Sequence, residues 1–192
     1  FAADIAYHRN KLEQRGFSKA INIWGADHHG HVARLQAALD GLGLDGSHRL
    51  IIVLMQLVNL LQDGQPVRMS KRSGKAIALH DLLDEISVDA ARYFFNSRAS
   101  TSPLDFDLDL AVREDSENPI YYVEYAHARI CSLLRALESD GVAVPETADL
   151  SLLSGEAEKA LIKQLAQYCE EIKLAARDYD PSHINRYLTA LA

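Results

Sequence analysis

Apolar positions along this chain switch between two periods, and the switches mark its elements. Residues 4–15 read as a helix that stops at Gly16. Ala20-Ile21-Asn22-Ile23-Trp24 is short and β-favouring, which predicts a strand. Gly25-Ala26-Asp27 follows as a tight turn. Val32, Leu35 and Leu39 then recur at helical spacing up to Gly41 and Gly43. Residues 50–55 form an unbroken apolar run, the pattern of a strand buried on both faces in a parallel sheet. Strand, helix and strand in this order predict a right-handed βαβ crossover. Ligands of such sheets gather at the carboxyl ends of the strands, and the turn at residues 25–27 lies on that edge.

Beyond the turn Asp63-Gly64 and a polar loop at residues 68–75, the helical period takes over. Leu79, Leu82, Leu83 and Ile86 mark a short helix. Ser87 is placed to cap the next, with Val88, Ala91 and Phe95 on its inner face. A loop is expected around Ser102-Pro103. Ile120, Val123, Ala126, Ile130, Leu133 and Leu137 line one face of a long helix. After a break at residues 141–145, Leu161, Leu165, Tyr168 and Ile172 mark another, and Asp180-Pro181 opens a last one. An α/β part is thus expected to about residue 78, and an all-α part after it.

Composition changes this picture little. The 192 residues suffice for one large domain or two small ones, and 48% hydrophobic with 24% charged is ordinary for a globular protein. No apolar stretch is long enough to span a bilayer, and no charged-then-apolar leader opens the chain. The start on Phe1 and the helical pattern running to Ala192 without a stop signal are read as cuts, so a fragment is expected. Cys131 and Cys169 stand in helical patterns without CxxC spacing and read as core residues in a reducing cytoplasm. The net charge of −7 argues against a general nucleic-acid coat but leaves room for a local basic patch.

One such patch exists. Arg68-Met69-Ser70-Lys71-Arg72-Ser73-Gly74-Lys75 packs four cations into eight residues. Cations beside small residues suit a polyphosphate, since ammonium and guanidinium groups offset phosphoryl charge; a solvated basic loop is the plain alternative. It is not a P-loop, because Met69 stands where that motif needs glycine. Asp27, His28, His29 and His31 imitate a metal site, but no acidic partner motif appears at ligand spacing elsewhere, so no metal is expected. Asp27 also fits a helix N-cap, and Asp4 a helix-start acid. Tyr122, Tyr125 and Arg129, spaced by three and four, share one helix face and suit stacking on unpaired bases, or an interface between domains.

These segments carry a resemblance. Arg68-Met69-Ser70-Lys71 resembles the Lys-Met-Ser-Lys loop of class I aminoacyl-tRNA synthetases, with Arg in place of the first Lys. Trp24-Gly25-Ala26-Asp27-His28-His29-Gly30-His31 resembles their ribose-binding Gly-x-Asp turn. Residues 1–8, 82–85, 89–95, 104–110 and 118–129 resemble the arginyl enzymes of that class, the likeness thinning after about residue 140.

The resemblance implies the second half of a Rossmann-like parallel-sheet core over residues 1–78, a helical connecting region over 79–117, and a truncated anticodon-binding helical bundle over 118–192. It implies ligation of arginine to its tRNA through an arginyl-adenylate, with ATP, its Mg²⁺, L-arginine and tRNA as ligands. No protein-bound metal and no membrane contact are expected; a cytoplasmic monomer is. Lys71 and Arg68 would act on the departing pyrophosphate, with Met69 and Ser70 beside the nucleotide. Gly25 and Asp27 would face the ribose, His28 the adenine, and Asp4 the guanidinium of arginine. Tyr122, Tyr125 and Arg129 would meet tRNA. The first half of the core and an N-terminal tRNA-elbow domain would lie outside this sequence. A metal phosphoesterase built on Asp27-His28-His29 and a non-catalytic tRNA-binding module are the competing readings.

Overall fold

The computed structural model describes residues 1–67, 78–145 and 147–192. It divides into two compact units, Phe1–Asn59 with Ser100–Leu104, and Leu60–Ala99 with Asp105–Ala192.

In the first unit, helix α1 (Ala2–Arg9) continues into a π-helical turn, Asn10–Gln14. It ends at Gly16, whose φ of 67° is the left-handed conformation that terminates helices at glycine. Strands β1 (Ala20–Gly25) and β2 (Leu50–Met55) pair in parallel, in register from Ala20–Leu50 to Gly25–Met55. Their carboxyl ends therefore lie on one edge. The crossover contains a 3-10 turn (Ala26–His28), α2 (His29–Gly41) and α3 (Gly46–Arg49). Four residues are too few to show a helical period, so α3 was not legible.

Leu12, Ala20, Leu35, Leu39, Leu44 and Leu50 form the core of this unit, with Ile5, Trp24 and Ile52 packed against it. Arg49 braces the link from α1 to β1. Its Nη2 donates to the carbonyls of Leu12 at 3.0 Å and Phe17 at 2.5 Å, and its Nε to that of Ser18 at 3.1 Å. The expectation that residues 50–55 are buried on both faces is corrected: Leu50 alone is buried, and Ile51 to Met55 are half-buried. The core residues Ala20, Trp24, Leu50 and Ile52 share one face of the pair. Ile21 and Ile23, in register with Ile51 and Val53, share the other and are 50% and 67% exposed.

The second unit includes β3 (Val58–Gln62), which begins just before it, β4 (Gln65–Pro66) and β5 (Leu104–Asp107), ordered β4-β3-β5. Asp63 and Gly64 make the predicted turn, both with positive φ, as a two-residue hairpin demands. β5 begins just past the loop expected around Ser102-Pro103, in a segment to which the sequence pattern assigned no element. Its Phe106 is fully buried, stacked on Phe94 at 5.0 Å and edge-on to Phe95 at 5.2 Å.

Helix α4 (Leu79–Glu85) precedes α5 (Val88–Phe95), and Ser87 caps α5 as predicted, accepting from the Ala90 N–H at 3.0 Å. The buried face of α5 differs from the expected one: Ala90, Ala91 and Phe94 are buried, while Val88 is 57% exposed. Phe94 stacks on Phe106 and is buried, whereas Phe95 meets it edge-on and is half-buried. After α6 (Leu108–Ala111), the buried Asn118 caps α7 (Pro119–Ser139). Its amide also donates to the carbonyls of Ala111 and Arg113.

A 3-10 turn (Leu150–Leu152), α8 (Glu156–Ala166), α9 (Tyr168–Asp178) and α10 (Ser182–Leu191) complete the unit. The single helix expected across residues 161–172 is two helices meeting at Gln167. Neither cysteine is a core residue: Cys131 is half-buried, Cys169 is exposed, and both are free thiols. Helices α7, α8 and α9 bury no residue fully: of the positions read as core stripes, Ile120, Val123, Ala126 and Leu137 are half-buried, whereas Ile130, Leu133, Leu161 and Leu165 are exposed, Leu133 by 62% and Leu161 by 51%.

Candidate functional site

In the first unit, β1 ends at Gly25 and the chain turns at the carboxyl edge of the parallel pair. An open pocket of about 470 Å³ lies there, lined by Asp4, Trp24, Asp27, His28, Gly30 and His31. Asp4 comes from the first turn of α1, and the others from the end of β1 and the start of α2. Of the residues expected to bind ligand, Asp4, Asp27 and His28 are thus brought to one pocket, with Gly25 at its edge. Arg68, Met69, Ser70 and Lys71 lie outside the described residues.

Asp27 projects into solvent, its side chain 81% exposed, with Oδ2 3.8 Å from His28 Nε2. It does not act as a cap: neither the 3-10 turn nor α2 takes a side-chain hydrogen bond at its N-cap. The close neighbour of its carboxylate is Gly25, where an added Cβ would lie 2.5 Å from Asp27 Oδ1. Gly25 has φ −63° and ψ 148°, open to any residue, so glycine is needed there for room rather than for its backbone freedom.

Trp24, Gly30 and His31 line the pocket without having been among the residues expected to bind ligand. His31 is half-buried, its Nε2 3.6 Å from Asp4 Oδ2 and its ring 5.5 Å from that of Trp24. Trp24 also meets the His28 ring edge-on at 6.2 Å. The spacing of His28 and His31, three apart at a helix start beyond a strand, was the available signal. His31 thus faces Asp4, and among the described residues no three of His, Cys, Asp and Glu are grouped to hold a metal ion. The arrangement is two carboxylates beside an aromatic wall, suited to a planar cation at Asp4 and to hydroxyl donors at Asp27.

In the second unit, the N-terminal half of α7 carries the aromatic face. Arg129 Nη1 donates to Tyr125 Oη at 3.1 Å, and its guanidinium lies 5.7 Å from the Tyr125 ring centre. Tyr121, overlooked in the sequence, stacks on Tyr125 with centroids 6.3 Å apart and planes 15° apart. Tyr125 and Tyr122 are 49% and 38% exposed. Tyr125, Arg129, Ile130 and Leu133 line an open groove of about 660 Å³.

Comparison with known proteins agrees along the whole chain. Residues 123–192 match the model of the DALR anticodon binding domain. The arginine–tRNA ligases of Ruminiclostridium cellulolyticum and Caldanaerobacter subterraneus are 53% and 55% identical, each over all of this chain and 34% of its own length. The chain therefore spans about a third of the length of these curated relatives. A crystal structure from Campylobacter jejuni that carries the name arginyl-tRNA synthetase matches with a TM-score of 0.85 and 40% identity, over 99% of this chain and 41% of that one. The Thermus thermophilus arginyl-tRNA synthetase, 21% identical over 91% of this chain and 32% of its own, shares the fold with a TM-score of 0.72. No helix among the described residues is long and apolar enough to cross a membrane.

Proposed function

We propose that this chain is part of an arginine–tRNA ligase, supplying the ribose- and arginine-facing side of its active site and the start of its anticodon-binding helical domain. The observation that carries this reading is the meeting of Asp4 and Asp27 in one pocket at the carboxyl edge of a parallel strand pair. The likeness of all of this chain to about a third of each arginine–tRNA ligase, and the anticodon-binding match over residues 123–192, support it.

An oxygen of the arginine carboxylate attacks the α-phosphorus of ATP. The bond to the bridging oxygen breaks, and pyrophosphate leaves with that oxygen's electron pair. A hydroxyl of the terminal tRNA ribose then attacks the arginyl carbonyl and releases AMP. Asp4 receives the guanidinium, because a planar cation with several donors pairs best with a carboxylate. Asp27 accepts from the ribose hydroxyls, with Gly25 leaving room for that approach, and His28 packs beside the adenine. Lys71 and Arg68 offset charge on the pyrophosphate as it departs, an effect worth most in the transition state. Met69 and Ser70 flank the nucleotide, and Mg²⁺ arrives with the ATP phosphates. Tyr122, Tyr125 and Arg129 stack and pair on the tRNA. The setting is the cytoplasm and the enzyme a monomer.

The test is aminoacylation by the full-length protein that contains this chain, with tRNA, ATP and each amino acid in turn. Charging with arginine alone is the expected result. Charging with a different amino acid, or none, overturns the reading.

A further inference from the structure

His8 is the buried residue of α1, only 3% exposed on a helix whose other side chains are exposed or half-buried. Its two ring nitrogens face different elements. Nδ1 lies 2.7 Å from the carbonyl oxygen of Asp4, one turn back on α1. Nε2 lies 2.7 Å from the Asn22 amide nitrogen on β1. A carbonyl only accepts, so Nδ1 carries the hydrogen and donates. Nε2 then offers its lone pair to the Asn22 N–H. Asn22 Oδ1 in turn accepts from Lys11 Nζ, at a long 3.5 Å. Every hydrogen-bonding atom of the ring is used, which fixes its tautomer and plane.

This joins the two elements that bring carboxylates to the pocket. Asp4 rides on α1, while Asp27 follows β1, the strand that holds Asn22. The His8 bond ends on the backbone of Asp4 itself, not elsewhere on the helix. Ile5 is the other α1 residue packed against the core, and an apolar contact permits sliding that two directional hydrogen bonds do not. We propose that His8 and Asn22 are positioning residues, holding the Asp4 carboxylate at the depth at which it meets the guanidinium of the substrate.

This inference rests on the arginine-binding role of Asp4. The test is steady-state aminoacylation by the full-length protein, with three variants. In His8→Gln the amide sits near the former Nε2 and no longer reaches back to the Asp4 carbonyl. In His8→Asn an amide donor sits near the former Nδ1 and keeps that bond. Asn22→Ala removes the strand-side partner. We expect His8→Gln and Asn22→Ala to raise the arginine KM about tenfold, the worth of one buried hydrogen bond, with the ATP KM changed less than about twofold. His8→Asn keeps the bond to Asp4 but loses the one to Asn22, so its arginine KM should rise as in Asn22→Ala. An unchanged arginine KM in His8→Gln overturns the inference. So does an equal loss for arginine and ATP in these variants, which would mean that the pair only supports the fold. A wild-type protein that does not use arginine overturns the functional reading itself, and this inference with it.

Discussion

The Asp27 carboxylate folds back over the bare α-carbon of Gly25, so that a Cβ there would stand 2.5 Å from Oδ1. The crowded atom is the end of an exposed, mobile side chain, so Gly25→Ala can be accommodated by turning Asp27 away. The fold should hold and nucleotide binding suffer. We expect the variant of the full-length protein to keep its Tm within about 2 °C, since surface changes rarely exceed about 0.5 kcal/mol. The ATP KM should rise about tenfold, the loss of about one charge-assisted hydrogen bond. A large Tm drop with ATP KM unchanged would show that Gly25 serves packing instead.

Lys71 gives a sharper kinetic expectation. If its ammonium meets pyrophosphate charge chiefly as the bond breaks, Lys71→Ala in the full-length protein lowers kcat by about 10²- to 10³-fold and barely moves the ATP KM. Equal losses in binding and turnover would mean that it grips ground and transition states alike.

Phe106 anchors the second unit through its stack on Phe94 and its edge contact with Phe95. It is fully buried, so Phe106→Ala should cost about 3–5 kcal/mol by opening a cavity. Chemical denaturation of the chain measures this directly. A loss below about 1 kcal/mol would mean that the strand it sits on is not held in place by this contact.

The Tyr125–Arg129 pair tests the proposed tRNA face. Tyr125→Ala should raise the tRNA KM about tenfold, in line with about 1–3 kcal/mol per stacked base. The KM values for ATP and arginine should stay put. A selective effect on tRNA is the expected outcome, and its absence would return this face to an intramolecular contact.

Acid stability carries one signature with a defined sign. Hydrogen bonds from the Ser47 hydroxyl and backbone N–H hold the Asp40 carboxyl below its ordinary value. Its folded pKa is depressed, so its stabilising effect is present above the ordinary carboxyl range, near pH 4, and is lost as pH falls through the folded value. The Tm of wild type should therefore exceed that of Asp40→Asn at neutral pH, and the gap should narrow on acidification. A gap that does not change with pH would mean that the exposed pair contributes through geometry alone.

What the sequence determined by itself was local. The two parallel strands, the turn at Gly25, the hairpin turn at Asp63-Gly64 and the Ser87 cap are all set by short-range chemistry: side-chain period, positive φ, or a hydroxyl three residues from an N–H. Tertiary structure decided which residues those elements bury and what they face. Nothing in the spacing of α5 told Phe94 from Phe95: both meet Phe106 on β5, Phe94 stacked and buried, Phe95 edge-on and half-buried. Similarly, His31 became a pocket wall and His8 a buried link only because α1 packs beside β1 and α2. Period and caps belong to the segment that carries them, whereas burial belongs to whatever packs opposite, and that partner lies elsewhere in the chain.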